Sequence, residues 1–173
     1  MPITIVADAG SASANSFITL AEAQAYMDAR LNSSAWDNAT TDTQNRALVE
    51  ATRELCMLSW EGQQATTTQA LQWPRWNALD PDSPVGFLFD TSIVPTRVKN
   101  ATAELAFQFV NAGTTDIASL DPNLGVIEKT VDVLTTRWQP WQKPQGLSRF
   151  PSVMRFIRPL LVSVSGSAPI LRG

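Results

Sequence analysis

The sequence contains no histidine, and that absence removes more chemistry than any other feature of its composition. Ser-His-Asp and Cys-His activation of a nucleophile, zinc sites with an imidazole ligand and histidine pH switching are all excluded. Cysteine is almost absent too. The single thiol, Cys56, cannot form an internal disulfide framework and suits a reducing site of synthesis. It follows Leu55 in an apolar helical pattern, so an inert, buried thiol is the simpler expectation than a reactive one. No GxxxxGK[ST] or post-strand GxGxxG occurs, which leaves no phosphate cradle. The acids are scattered and form no recognisable pair. A site built from carboxylates alone stays possible, but we expect no enzyme. No run approaches the ~18 apolar residues of a membrane span, so no membrane association is expected. The first residues, MPITIVADAGSASANS, lack the basic start and long apolar block of a secretory signal.

What is present suits a globular chain. With 44% hydrophobic and 17% charged residues over 173 positions, it can bury a core of ordinary domain size. Charge is unevenly placed. Residues 137–173 hold six bases (Arg137, Lys143, Arg149, Arg155, Arg158 and Arg172) and no acid, for +6; residues 1–136 hold seven bases and sixteen acids, for −9. An acidic body with a basic end suggests docking on something acidic: a neighbouring copy, another protein or nucleic acid. Chance and solubility are the bland alternative.

Periodicity predicts a mainly α fold, an antiparallel bundle of three to four helices with a small β element and extended termini. Ile3, Ile5 and Val6 suggest a short N-terminal strand. A first helix should start at Thr19, where Glu22 completes a capping box. Its face is Leu20, Ala23, Met27 and Leu31, and Asn32-Ser33-Ser34 ends it. Trp36 then leads into the cap of the clearest helix, running from about Asp42 towards Trp60. Ala47, Leu48, Ala51, Leu55 and Leu58 give that helix an apolar stripe. Thr41 or Asp42 can cap it, and Gly62 supplies a stop. The short connection favours a hairpin of these two helices. A third helix opens near Pro95 and closes at Gly113, with Val98, Ala101, Leu105, Phe109 and Ala112 in its stripe and Ala103, Ala106 and Phe107 widening it. So wide an apolar face places this helix centrally, or against both its own bundle and a neighbouring copy.

Between the second and third helices, residues 62–95 have little periodicity but too many apolar side chains for a free linker: Leu71, Trp73, Trp76 and Phe87-Leu88-Phe89. Within them LQWPRW stands out. Pro74 disfavours a helical Trp73, so Trp73, Pro74, Arg75 and Trp76 should form an extended structural corner. Trp73 and Trp76 are expected to pin the loop to the helices. Arg75 is expected in a salt bridge to the body or, less simply, in contact with a partner. Further on, residues 126–136 read as one strand, rich in Val126, Ile127, Val131, Val133 and Thr135, needing residues 3–6 or another subunit to pair with. A short helix from Ser152, halted by Pro159, carries Val153, Phe156, Ile157 and Leu160. Residues 1–161 then form one domain, and residues 162–173 a flexible tail that stays disordered or orders on a partner.

These pieces, in order, carry a resemblance: ANSFITLAEAQAYMDAR at 14–30, ALVEATREL at 47–55 with Trp60, LQWPR at 71–75, VPTRVKNATAELAFQ at 94–108, and Phe150-Pro151 opening the last helix. Together they resemble a family of tailed-phage proteins often labelled "DnaT-like ssDNA-binding protein", many of them encoded among virion neck genes as head-tail connector (adaptor) proteins. The resemblance implies a structural virion protein at the neck, made in the host cytoplasm. It implies a homo-oligomeric ring, commonly of twelve copies, between the portal protein and a tail-side stopper or tail protein. It implies no catalytic residue and no cofactor. Genomic DNA would pass through the ring without specific binding, which an acidic body favours because like charges repel the phosphates. Contacts with the portal or a neighbouring subunit are expected from Arg149, Arg155, Arg158, Ile170, Leu171 and Arg172. The alternative carried by the family label is a single-stranded nucleic-acid binding module. Such binders combine a basic groove with exposed aromatics, and here only the end of the chain, with Arg137, Trp138, Trp141, Lys143 and Arg149, offers that combination.

Overall fold

The computed structural model of the chain describes residues 2–115, 128–131, 134–137 and 146–162. The fold is mainly helical: α1 (Leu20–Asp28), α2 (Ser34–Asp37), α3 (Thr41–Cys56), α4 (Thr96–Ala112) and α5 (Pro151–Ile157). Two small antiparallel strand pairs accompany the helices. Strands β1 (Gln63–Gln64) and β2 (Arg75–Trp76) form one, and β3 (Glu128–Val131) and β4 (Leu134–Arg137) the other.

Helix α1 begins as the capping box requires. The Glu22 amide donates to Thr19 Oγ1 at 3.2 Å, and the Thr19 amide donates back to Glu22 Oε2 at 2.9 Å. Ala23 and Met27 are buried, but the helix stops at Asp28, so Leu31 falls outside it and faces solvent. A short helix, α2, fills the connection and buries Trp36 completely. The cap of α3 is Thr40, whose hydroxyl accepts from the Thr43 amide at 3.2 Å. Asp42 is used differently: it accepts from the Ile3 amide at 3.1 Å and from Arg46 Nε at 2.7 Å. This explains why residues 3–6 form no strand. Most of their backbone groups meet side chains instead, with Asn45 donating to Ile3 O at 2.9 Å and Asn15 Oδ1 accepting from Val6 N at 2.8 Å, while Val6 O accepts from the Asn15 amide at 2.9 Å.

Helix α3 buries Ala47, Leu48, Ala51 and Leu55 as expected, yet it ends at Cys56, short of Trp60. The indole of Trp60 turns back and donates to Leu55 O at 2.9 Å, adding a side-chain donor to a carbonyl in the last turn of α3. Trp60 is thus a buried side chain packed over the end of α3, not a residue of the helix. Gly62 lies beyond the stop and has another purpose. Its φ is +72°, and a Cβ there would sit 2.2 Å from Trp76 O.

Helix α4 is the centre of the fold. It packs on α1, α2, α3 and α5, and Val98, Ala101, Ala103, Leu105, Ala106, Phe107 and Phe109 are all buried. Of the expected stripe only Ala112 is exposed. Gly113 closes the helix at φ +68°, the left-handed cap a glycine adopts without strain. The wide apolar face is therefore covered by this chain's own helices. The second argument for a neighbour also changes. Instead of one strand over 126–136, β3 pairs with β4, Glu128 opposite Arg137 and Val131 opposite Leu134, so the segment supplies its own partner. At the C-terminal end, Gly146–Arg149 forms a 3-10 turn, Pro151 opens α5, and a second 3-10 turn, Arg158–Leu160, contains Pro159. Val153, Ile157 and Leu160 join the core of the N-terminal helices.

One polar cluster is sealed into these contacts. Glu104 of α4, 3% exposed, accepts from Tyr26 Oη at 2.9 Å and from Arg30 Nε at 3.1 Å, and the Arg30 guanidinium lies 4.0 Å over the Phe107 ring. Burial, helped by the Glu104 carboxylate, pushes the Tyr26 phenol up to about 12 from an ordinary 10.0, with Arg155 drawing it partly back. Tyr26 is the chain's one tyrosine, so its tyrosinate absorbance can be titrated without ambiguity. The expected midpoint is near pH 12, moving towards 10 in Glu104→Gln. Because the neutral phenol is the form the fold favours, its contribution to stability is complete below about pH 10 and fades as pH rises through about 12. A midpoint already at 10 in the native chain would contradict the buried pairing.

Candidate functional site

The corner at residues 71–76 is built from the inside out. Trp73 is 1% exposed and meets two rings edge-on, Trp60 at 5.7 Å and Phe89 at 5.6 Å between centroids. The Trp73–Pro74 peptide is cis. Arg75, only 7% exposed, has no carboxylate partner among the described residues; the expected salt bridge is replaced by backbone carbonyls. Its Nε donates to Glu61 O at 2.6 Å, Nη2 to Gly62 O at 2.6 Å and to Trp60 O at 3.3 Å, and Nη1 to Gln72 O at 3.0 Å and Gln72 Oε1 at 2.8 Å. A planar fork with five donors is the side chain suited to a ring of carbonyls. Gln69, to which no sequence pattern points, closes the loop from below. Its Nε2 donates to Leu71 O at 2.8 Å and Pro74 O at 3.0 Å, and its Oε1 accepts from the Thr66 amide at 3.0 Å.

Trp76 does the opposite of the expectation. Adjacent residues of a strand point to opposite sides, so with Arg75 buried, Trp76 faces solvent at 57% exposure. From it extends a projecting loop. Phe89 N donates to Ala78 O at 3.0 Å and Asp80 N to Phe87 O at 2.9 Å, with Leu79 bridged to Leu88. Its tip is turned by Asp80 and Ser83, which accept from the amides of Asp82 and Phe87, each at 3.0 Å. Arg97, in the first turn of α4, holds Asp82 through both carboxylate oxygens, and that guanidinium keeps the Asp82 carboxyl below the usual range. Phe87 at 69% exposure, with Val85, Leu79, Leu88 and Ile93, leaves an apolar surface on this loop. Around it stand Asp80, Asp82 and Asp90; between Arg75 and Arg97 there is no base. With Trp76, these exposed large apolar residues all fall within one short stretch, 76–93, whereas Leu31 and Met57 are exposed singly.

The bases are arranged differently. All six in residues 2–115 are engaged: Arg30 with Glu104, Arg46 with Asp42, Arg53 with Glu50, Arg97 with Asp82, Lys99 with Glu22, and Arg75 with carbonyls. No open cationic groove remains on that part. At the C-terminal end Arg155 and Arg158 are exposed and Arg149 is half-buried. Arg155 lies 4.8 Å over the Phe156 ring. Ile170, Leu171 and Arg172 lie outside the described residues, as do Trp138, Trp141 and Lys143. Cys56 is half-buried, and burial pushes its thiol up, away from the thiolate a nucleophile needs. Among the described residues no group of three or more His, Cys, Asp or Glu is placed to hold a metal ion, and no helix is long and apolar enough to cross a membrane.

The family described as "Putative DnaT-like ssDNA binding protein" matches residues 1–173. The chain belongs to this family. Neither a curated protein nor a solved structure matches it. Within the DnaT-like family description, only nucleic-acid binding is named; a place in a virion is not. The corner and loop of this DnaT-like chain are half visible in sequence. Phe87-Leu88-Phe89 signals a loop too apolar to be a linker, but of the three only Phe89 packs inward.

The corner has a direct test. Arg75→Met keeps length and apolar stem but strips every donor from four buried or half-buried carbonyls. It should cost about 2–4 kcal/mol, lowering the thermal midpoint by roughly 5–15 °C for a chain of this size. Trp76→Ser, at the next residue along but facing water, should stay within about 0.5 kcal/mol. Thermal unfolding followed by circular dichroism reads both, and equal losses would mean that the guanidinium is not the clamp.

Proposed function

We propose that the chain is a structural virion protein, a head-tail connector (adaptor) that docks other proteins and performs no catalysis. The observation that carries this reading is the projecting acidic-apolar loop at residues 76–93 on a body whose bases are already paired. Such a surface suits protein contact and gives nucleic acid nothing to hold. In this reading, copies assemble into a ring of twelve, the portal protein receives residues 149–173, and a stopper or tail protein takes the opposite side. The net charge of −9 over residues 1–136 lets genomic DNA slide through the channel without adhering. The reading is tested by light scattering and negative-stain microscopy of the protein with the portal of the same source. Rings or capped portals are expected, and removing residues 163–173 should abolish attachment while the circular dichroism spectrum is retained. A monomer that ignores the portal would overturn the connector reading.

A second reading, single-stranded nucleic-acid binding, is favoured by the description of the family itself. Its residues would lie in the acid-free end of the chain, with Trp138 and Trp141 as stacking platforms and Arg137, Lys143, Arg149, Arg155 and Arg158 for phosphates. If it holds, affinity for a labelled oligonucleotide falls steeply as salt rises, and Trp138→Ala or Trp141→Ala weakens it about 5- to 100-fold, the range of one lost stacking contact. Absence of binding at low salt removes this reading.

A further inference from the structure

The exposed apolar loop lies close to the point where the described chain ends. Leu161 bridges Trp60, Val162 N donates to Ser59 O at 3.0 Å, and Glu61 N donates to Leu160 O at 3.0 Å. Trp60 is one ring contact from Trp73, and Trp73 one ring contact from Phe89 at the foot of the loop. The described chain therefore ends, at Val162, beside the corner that carries the loop. The sequence of residues 163–173, SVSGSAPILRG, holds Val164, Pro169, Ile170 and Leu171 for an apolar surface, Arg172 for an acidic rim, and no acid. Nine extended residues, 163–171, reach about 30 Å, while the loop from Ala78 to its tip at Ser83 is at most about 17 Å long. The surface they would meet carries Val85, Phe87 and Leu88 between Asp80 and Asp90, with Leu79 just before Asp80.

We propose that residues 163–173 fold back over the 76–93 loop of their own chain, with Ile170 and Leu171 on Phe87 and Leu88 and Arg172 facing the Asp80–Asp90 rim. Tethering favours the chain's own tail over a second copy, because a short linker supplies a local concentration that dilute neighbours do not match. So few apolar side chains, set against the entropy of ordering the segment, make a marginal cover, one that a stronger partner displaces. The cover is a property of the free chain and holds whichever of the two readings of function is correct.

Hydrogen exchange of the full chain, compared with a chain ending at Val162 and with the full-length double variant Ile170→Asp, Leu171→Asp, tests it. Both variants should speed exchange of the 79–89 amides by roughly threefold to tenfold, leaving α3 and α4 unchanged. The difference should be the same at about 1 and about 100 µM protein, as an intramolecular contact requires. Unchanged exchange in the double variant overturns the proposal. A difference that appears only at high concentration assigns the cover to a second copy and also overturns it. A difference spread equally over α3 and α4 makes the tail part of the core, which is a different arrangement and overturns it as well.

Discussion

The irregular third of the described chain depends on one guanidinium. Residues 57–95 hold no long helix or strand, so their carbonyls cannot be satisfied by a ladder and must find donors elsewhere. Arg75 meets this need for Trp60, Glu61, Gly62 and Gln72 together. It thereby ties the exit of α3 to the corner. The same short stretch, Ser59 to Glu61, also receives the segment that follows α5, at Leu160–Val162. Gly62 is the geometric condition for this arrangement, since any Cβ would strike the backbone at Trp76 and Ala78. Trp73 and Trp60 then wedge the corner against the helices, and what is left over, the 76–93 loop, is pushed outward.

The helices are legible in the sequence because their signals are local. A capping box at Thr19, a stripe through Leu48 and Leu55, and Gly113 after Phe109 each act within a few residues. The corner is legible as an oddity but not as a mechanism. Arginine beside two tryptophans reads as a charge seeking a carboxylate, and nothing in the spacing says that carbonyls from 13 to 15 residues earlier will converge on it. Trp60 misleads for a similar reason. Its indole reaches back over the end of α3, so a residue that continues a helical pattern on paper in fact lies outside the helix. Residues 3–6 and 126–136 mislead because β-branched composition does not tell which backbone partner is used. In one case it is mainly a set of asparagine and aspartate side chains; in the other, residues 128–131 pair with 134–137.

Two expectations that pointed to neighbouring copies, a wide helix and a lone strand, find their partners inside the chain. What still points outward is the loop. The charge pattern separates the two functional readings along the sequence. Residues 2–115 have each base engaged and an apolar surface rimmed by acids, while the acid-free run of bases begins at Arg137. A protein-docking role and a nucleic-acid role would therefore draw on different parts of the molecule. The family description favours the second and the geometry of the body the first.

The Asp82–Arg97 pair has a mechanical side. It is the only described ion pair linking the tip of the loop to α4, and α4 touches every other helix. The loop is thus a spur braced at two points, its foot in the tryptophan corner and its tip at the first turn of the central helix. A load on Phe87 is shared between a buried carbonyl clamp and a solvent-exposed ion pair, of which the second is much the weaker.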